Sequence, residues 1–320
     1  MVSIIIPVYN GERYIDRCLG TLLEQNPTGL EVIAVNDGSR DSSSQKLHEY
    51  AARYAALRVI DQENGGAATA RRRGLAEATG DFIAFLDIDD YAEPDVYLNM
   101  ERLATQTNAD IVFCDYIEEY PTRQNPVRNR FDKDERFPLT GAATMGYLHR
   151  RQGFFPYPWN KIYKAELLKQ VRFPSGNFVG EDYNMLLQLL DMTDNIQYLD
   201  AFGYHYVLTE NSASRGGYSD ATLRAYTHFE EDYAYVCERH PEQKRLVTNY
   251  LITEYMAMII AMGRNKTYNK ELIRKIKGFV RKGLLGYLCA SYVPLTMKGS
   301  ALALTVSYRL LIALYRLIAK

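Results

Sequence analysis

The chain has 320 residues, 47% of them apolar, with 26 tyrosines and one tryptophan, enough to bury the cores of about two domains. A net charge of −1 hides an asymmetry: residues 264–320 carry 12 Lys and Arg against one acid, Glu271 (+11), while the rest carries 26 bases and 38 acids (−12). The acidic body argues against nucleic acid as a partner and the basic tail for an anionic one, while the four scattered cysteines form no CxxC, which excludes a zinc ribbon or a disulfide framework.

The first 115 residues alternate apolar runs with helical periods. Strands are predicted over 2–8, 31–36, 57–61, 81–87 and 109–114, rich in Val, Ile and Phe as a sheet covered on both faces requires. Met1 runs directly into the first of them and Pro7 breaks it, so no secretory signal is expected and the compartment is a reducing cytoplasm. Tyr14, Ile15, Cys18, Leu19, Leu22 and Leu23 then recur at helical spacing, with Asn10 as the expected N-cap. Further helices are predicted to begin near Ser39 or Asp41, near Gly66 and at Pro94. Repeated βα units imply an α/β, Rossmann-like, doubly wound and mostly parallel sheet. From 116 to about 215 prolines at 121, 126, 138, 156, 158 and 174 break the pattern, with one good helix at 182–191. The expected division is a domain over 1–215, in halves 1–115 and 116–215, followed by a helical region over 216–320.

The strand ends carry the chemistry. FIAFLDIDD delivers Asp87, Asp89 and Asp90 where an apolar run stops, and carboxylates so close repel unless a cation sits among them. Mg²⁺ or Mn²⁺ shared with a phosphorylated ligand suits that pattern, since such ions take few carboxylates plus substrate phosphates; a solvated acidic turn is the plain alternative. Strand one ends in Pro7-Val8-Tyr9-Asn10 and strand two in Asn36-Asp37-Gly38-Ser39. In a parallel sheet these ends share one edge, so Tyr9, Asp37 and Asp89 converge on a nucleotide-sized pocket. Asn64-Gly65-Gly66 adds a tight turn before a helix whose Arg71 can reach a phosphate or ribose, whereas Arg72 and Arg73 read as solvated. No GxGxxG and no GxxxxGK[ST] occurs, against dinucleotide dehydrogenases and P-loop enzymes.

PVYNGERYIDRCLGTLLEQ, VNDGSRDSS, NGGAATARRRGL and ATGDFIAFLDIDD, followed by WNKIYKAELL, VRFPSGNFVGED and YHYVLTENSAS, resemble family 2 glycosyltransferases of the GT-A fold, inverting enzymes of the bacterial surface-polysaccharide type. The resemblance covers roughly residues 1–215 and implies a nucleotide-sugar site of Pro7, Tyr9, Asn10, Glu12, Asp37, Gly66, Arg71, Asp87 and Ile88. Within it Asp37 would recognise the base, and Asp87 and Arg71 the ribose or diphosphate. Asp89 would be the principal metal ligand, with Asp90 bracing it or sharing the role. Glu181-Asp182 resembles the family's ED motif, with Asp182 as general base and Glu181 as runner-up. Trp159 and Lys161 would face the acceptor, although a core Trp is the alternative. His205 reads as structural, and Ser212 and Ser214 would lie near phosphate. Arg72-Arg73 departs from the Asn-Lys the family often has.

The reaction so implied moves a sugar, hexosyl or N-acetylhexosaminyl, from a UDP-sugar to a saccharide or lipid-linked saccharide with the help of Mg²⁺ or Mn²⁺. A sugar nucleotidyltransferase would show a Gly-rich basic loop after strand one, and an inactive scaffold would have lost an acidic motif; neither fits. In the tail, 270–288 is amphipathic, and Lys298, Arg309, Arg316 and Lys320 fall in one stripe if 298–320 is a single helix. A broad apolar face with a basic stripe suits a helix lying on the inner face of the cell membrane. The alternatives are packing on the chain's own core or on a second subunit in a homodimer.

Overall fold

The protein was analysed as a computed structural model, which describes residues 1–24, 28–132, 135–173, 180–208 and 220–318. Two compact units divide the chain, one built from residues 1–144, 153–173 and 181–208, the other from 145–152, Gly180 and 220–318.

The first unit holds nine strands: β1 (Val2–Val8), β2 (Leu30–Asp37), β3 (Leu57–Gln62), β4 (Phe82–Phe85), β5 (Tyr91–Ala92), β6 (Ile111–Tyr120), β7 (Arg123–Val127), β8 (Lys161–Lys164) and β9 (Ile196–Val207). They form one sheet in the order β3-β2-β1-β4-β8-β6-β9-β5, with β7 paired to β6. From β3 to β4 every pairing is parallel, as predicted. Beyond β4 the antiparallel β8 is inserted, so β6 is separated from β4, and β9 then runs parallel to β6. Chain order reverses around β1, whose neighbours are β2 and β4, and this makes the crevice at the carboxyl ends of these strands the natural ligand site.

Helices cover the parallel half. In α1 (Ile15–Leu23) the buried residues are Ile15, Cys18, Leu19, Leu22 and Leu23 together with Gly20, an i, i+3, i+4, i+7 face. Asn10 does not cap it: the helix starts after Tyr14, and Asn10 takes a left-handed conformation (φ 49°) in the preceding turn. There its Oδ1 accepts from the Arg40 amide at 2.8 Å while its own amide donates to Ser39 Oγ at 3.0 Å, tying the end of β1 to the end of β2. α2 (Ser43–Arg53) begins slightly later than predicted. α3 (Ala67–Glu77) follows Gly66, whose φ of 85° favours glycine. Gly74 of α3 lies against β1, where a Cβ would collide with the Ile5 side chain. α4 (Pro94–Thr107) opens on its proline, α5 spans Gly141–Arg150, α6 is a single turn (Ala165–Leu168), and α7 spans Glu181–Met192. The core gathers Val2, Ile4, Ile6, Val8, Leu19, Val32, Ala84, Val112 and Ile162, each fully buried aliphatic of Leu or Ile size contributing about 1.5–3 kcal/mol.

The second unit is helical, as predicted: α8 (Asp220–Arg239), α9 (Lys244–Arg264), α10 (Lys270–Leu288), α11 (Leu295–Val306) and α12 (Tyr308–Ile318). Residues 241–264 are long and apolar enough to cross a membrane, with a mean hydropathy of 1.3, but 61% of that apolar window is buried inside the protein. Val247, Leu251, Tyr255, Ile259 and Met262 account for this, and α9 is the core helix of its unit. The single helix expected over 298–320 does not form: Ser307 is extended (φ −152°, ψ 136°) and separates α11 from α12. Lys298 and Arg309 therefore share no continuous stripe, and Lys320 lies outside the described residues. Instead Lys277 Nζ and Arg281 Nη2, both on α10, donate to the Val306 and Thr305 carbonyls at 3.1 and 2.9 Å, placing cations where a helix C-terminus needs them.

Candidate active site

Asp37 ends β2 with its side chain buried. Oδ1 accepts from Gln62 Nε2 at 2.7 Å and the Gly65 amide at 2.8 Å, Oδ2 accepts from the Gly66 amide at 2.7 Å, and Asn64 Nδ2 donates to its carbonyl at 2.9 Å. One carboxylate thus lashes down the Gly65-Gly66 turn that launches α3. Two backbone amides bound to an anion also prepare the turn electrostatically, and Oδ2 keeps room for one further donor. Tyr9, directly after β1, is an exposed ring (48%). Glu12 is held in the same edge, with Oε2 accepting from the Ser42 amide at 2.8 Å, and Pro7 pairs in register with Val35 on β2. Ile88 packs against Gly11.

One turn into α3, Arg71 is buried among three carboxylates. Its Nη1 donates to Glu181 Oε1 at 2.9 Å and to Asp182 Oδ1 at 3.0 Å, and its Nη2 donates to Asp87 Oδ1 at 2.9 Å. α3, the β4 turn and the start of α7 are brought together by this one guanidinium. Despite burial, the three acids hold its proton far more tightly than usual, while Nε is buried without a partner among the described residues. Sequence reading placed Arg71 at a ribose or phosphate; the structure adds its contacts to three carboxylates, which no spacing in the sequence announces.

β4 stops at Phe85, two residues short of the prediction, and Asp87–Asp90 form a turn closed by the Asp90 amide donating to the Asp87 carbonyl at 3.0 Å. The turn sorts its acids. Asp87 and Asp89 are half-buried, whereas Asp90 is buried, its Oδ2 accepting from Tyr204 Oη at 2.6 Å and its Oδ1 from the Val207 amide at 2.7 Å. Burial, then the charge of Asp87, raises the Asp89 carboxyl above its ordinary range, and the same causes raise Asp90 further. A divalent cation would remove that strain. No cluster of three or more Asp, Glu, His or Cys able to hold a metal occurs among the described residues, so Asp87 and Asp89 suit an ion that completes its shell with phosphates and water, not one caged by protein. Asp90, with both oxygens committed, fits the bracing role of the two offered above.

At the start of α7, Asp182 is 34% exposed and Glu181 17%. Burial pushes Glu181 up to about 7 although Arg71 pulls the other way, and burial likewise raises Asp182. Among the described residues no donor reaches Asp182 Oδ2, so that oxygen can accept a proton.

Trp159 and Lys161 do not face outward. Trp159 is stacked between Tyr157 (4.9 Å, 6°) and Tyr204 (4.2 Å, 13°), with Tyr116 edge-on, so the core alternative is the one found. Lys161 is fully buried, its Nζ donating to the carbonyls of Phe155 and Tyr157 and to Asn160 Oδ1 at 3.1, 2.6 and 2.6 Å. Three acceptors saturate an ammonium, and burial still lowers its pKa to about 7. The aromatic that carries this stack to the surface is Tyr157, 37% exposed, which sequence reading passed over; the run FFPYPW was its signal. His205 is structural, its Nδ1 2.7 Å from Glu119 and its ring stacked on Tyr91. Ser212 and Ser214 lie outside the described residues.

A sequence model of the family described as Glycosyl transferase family 2 matches residues 3–179, more than half of the chain. EpsJ of Bacillus subtilis (strain 168), named an uncharacterized glycosyltransferase, is 32% identical over 224 residues, 69% of this chain and 65% of EpsJ, slightly under two thirds of that relative. EpsH of the same strain, also named a glycosyltransferase, is 27% identical over 330 aligned positions, 97% of this chain and 92% of EpsH. Among solved structures, S. aureus TarS 1–349 in complex with UDP-GlcNAc matches with a TM-score of 0.69 at 20% identity, covering 98% of this chain and 91% of that one. The mannosyltransferase PcManGT from Pyrobaculum calidifontis, in complex with GDP-Man and Mn²⁺, matches with a TM-score of 0.55 at 17% identity, covering 98% and 85%. At such identities the likeness is one of fold.

Proposed function

The chain belongs to glycosyl transferase family 2 and has its GT-A fold, and we propose that it is an inverting, divalent-cation-dependent enzyme of surface-polysaccharide synthesis. It moves a hexosyl or N-acetylhexosaminyl group from a UDP-sugar to a hydroxyl of a saccharide or lipid-linked saccharide. The observation that carries this reading is the junction at Arg71, which gathers Asp87 from the donor edge and Glu181-Asp182 from α7 onto one cation. The UDP-GlcNAc held by TarS supports a uridine carrier on this fold, and the Mn²⁺ of PcManGT supports a divalent ion.

In this reading Tyr9 lies along the base and the lashed Gly65-Gly66 turn offers backbone to the nucleotide, with Asp37 fixing that turn and accepting from the base through Oδ2. Pro7, Asn10, Glu12 and Ile88 shape the same edge. Asp87 and Asp89 would hold Mg²⁺ or Mn²⁺, which would supply the charge that neutralises the leaving diphosphate. Asp90 keeps Asp89 in place by anchoring the turn to β9. Asp182, the more open of the α7 pair, takes the acceptor proton on Oδ2; Glu181, half-neutral near pH 7, positions the acceptor. Arg71 restrains Asp182 through Oδ1 alone and so orients the base without blocking it. Attack from the face opposite the diphosphate inverts the anomeric centre. Tyr157 replaces Trp159 and Lys161 as the surface aromatic for an acceptor. A lipid-linked acceptor would bring the enzyme to the inner face of the membrane as a peripheral protein, with the +11 charge of residues 264–320 as the attractive term.

The test is nucleotide release from a panel of UDP-, GDP- and dTDP-sugars with Mn²⁺, Mg²⁺ or EDTA. Slow release from one donor, abolished by EDTA and by Asp89→Ala, is expected. Release that persists in EDTA overturns the metal, and absence of both release and nucleotide binding overturns the transferase reading.

A further inference from the structure

The helical unit contains a cleft of about 530 Å³ lined from α8, α9 and α10, and none of its lining residues belongs to the Arg71 cluster or the donor edge. We propose that this cleft is a second binding site, for a phosphorylated polyol or sugar, with Arg245 and Lys282 on the phosphate and Asn249 on a hydroxyl.

Four features point to that chemistry. Lys244, Arg245 and Lys282 line the cleft as exposed cations, and among the described residues none of them has a carboxylate within 4 Å. The hydrogen bond Arg245 does make is a long one, 3.5 Å to the Gly286 carbonyl, so its charge is uncompensated. At the base of the cleft Asn249 is 2% exposed; its Nδ2 donates to Tyr292 Oη at 2.7 Å, but among the described residues its Oδ1 has no partner. A buried amide oxygen left unmet costs about 1–3 kcal/mol, which a ligand donor would recover. A hydroxyl meets this need in either orientation of the amide, since it both donates and accepts. Gly286 leaves room there: a Cβ at that position would stand 3.9 Å from both Arg245 Nε and Asn249 Oδ1. Tyr233 and Phe279, edge to face at 5.3 Å, supply an aromatic wall for the C–H face of a polyol or sugar.

Inorganic phosphate answers the cations and leaves Asn249 unmet, while a neutral sugar does the reverse. A hydroxyl carried beside a phosphate answers both. Two sources offer that group: a phosphate-bearing acceptor polymer, or the glycerol-phosphate headgroup of an anionic lipid. The proposal rests on the transferase reading only for why such a ligand would be at hand.

The experiment is a titration of the full chain with glucose 1-phosphate and sn-glycerol 3-phosphate, with inorganic phosphate and glycerol as controls, and UDP binding measured in parallel. Saturable binding of the phosphorylated compounds with Kd of about 1 mM is expected, tighter than either control. The double variant Arg245→Gln/Lys282→Gln should weaken it by about tenfold or more, the loss of both charge-assisted contacts. Gly286→Leu, which fills the space and removes no polar group, should weaken it comparably with UDP binding intact. Phosphatidylglycerol vesicles that bind the chain, lose it in the same variants and are displaced by sn-glycerol 3-phosphate would assign the lipid source; vesicles that do not bind, or bind the variants equally well, while the soluble compounds still bind the unaltered chain would assign the polymer. Equal affinity for inorganic phosphate, full affinity in both variants, or no saturation by 1 mM-range ligand at tenfold excess (about 10 mM) overturns the site. Because UDP binding is scored separately, failure of the transferase reading shows as lost UDP binding in the unaltered chain and leaves the cleft result standing.

Discussion

One cluster in each unit treats positive charge in the opposite way. In the first, Arg71 is sealed among Asp87, Glu181 and Asp182, all within 3.0 Å. In the second, Arg245 and Lys282 stand exposed, without a carboxylate among the described residues. A buried cation is costly unless its acids stay with it, so Arg71 is bound to geometry and stability together; an exposed cation costs little and is free to meet a ligand. Position in the fold, not residue type, decides which arginine is part of the framework.

The contrast can be broken most sharply at Asp182. Asp182→Asn removes the proposed base while keeping the Arg71 contact, and should lower transfer about 10²–10⁴-fold with UDP-sugar binding retained, as read by single-turnover assay and calorimetry. Near-normal turnover would move the base elsewhere. Arg71→Met should then cost up to about 3–5 kcal/mol of stability, because three half-buried acids lose their buried counter-charge; urea unfolding checks this, and a change within about 1 kcal/mol would show that the acids simply protonate. Glu181 gives a smaller, pH-dependent effect. Its pKa lies at about 7 in the folded chain against an ordinary 4.5, so the folded state binds the extra proton in between. Stability should therefore fall as pH rises from about 4.5 to about 7 and level off above, and Glu181→Gln should flatten that slope in melting temperature. Transfer should rise with pH as Asp182, whose carboxyl burial holds above its ordinary range, loses its proton. Smallest of all, Lys282→Gln should change stability by no more than about 0.5 kcal/mol; a larger loss would mean that the exposed cations are structural after all.

Much of the first unit is legible in sequence because its signals are local. β1, β2, β3, α3 and α4 follow from apolar runs, Gly66 and Pro94, and they fix which ends share the donor edge. What sequence does not carry is the direction of side chains joined across long separations. Arg71 meets Glu181 over 110 positions, and nothing in either segment names the other. The inserted β8 escapes detection because KIYK is short and begins with a lysine that is buried through carbonyl contacts. Trp159 illustrates a different failure: a lone Trp beside prolines suggests a surface platform until neighbouring tyrosines stack on both sides. In the tail, helical periodicity runs on across 298–320 while the chain breaks at Ser307, since a period in residue type cannot report a single extended residue.

Gly74 makes the candidate site vulnerable from a distance. It touches no charged group of the cluster, yet it lets α3 lie flat on Ile5, and Arg71 sits less than one helical turn before it on the same helix. Any side chain at 74 would lift the helix and draw the guanidinium away from three acids at once. In an unbiased mutational screen, position 74 would score among the most sensitive sites for transfer, and a reader of that screen alone would mistake a spacer for a catalyst.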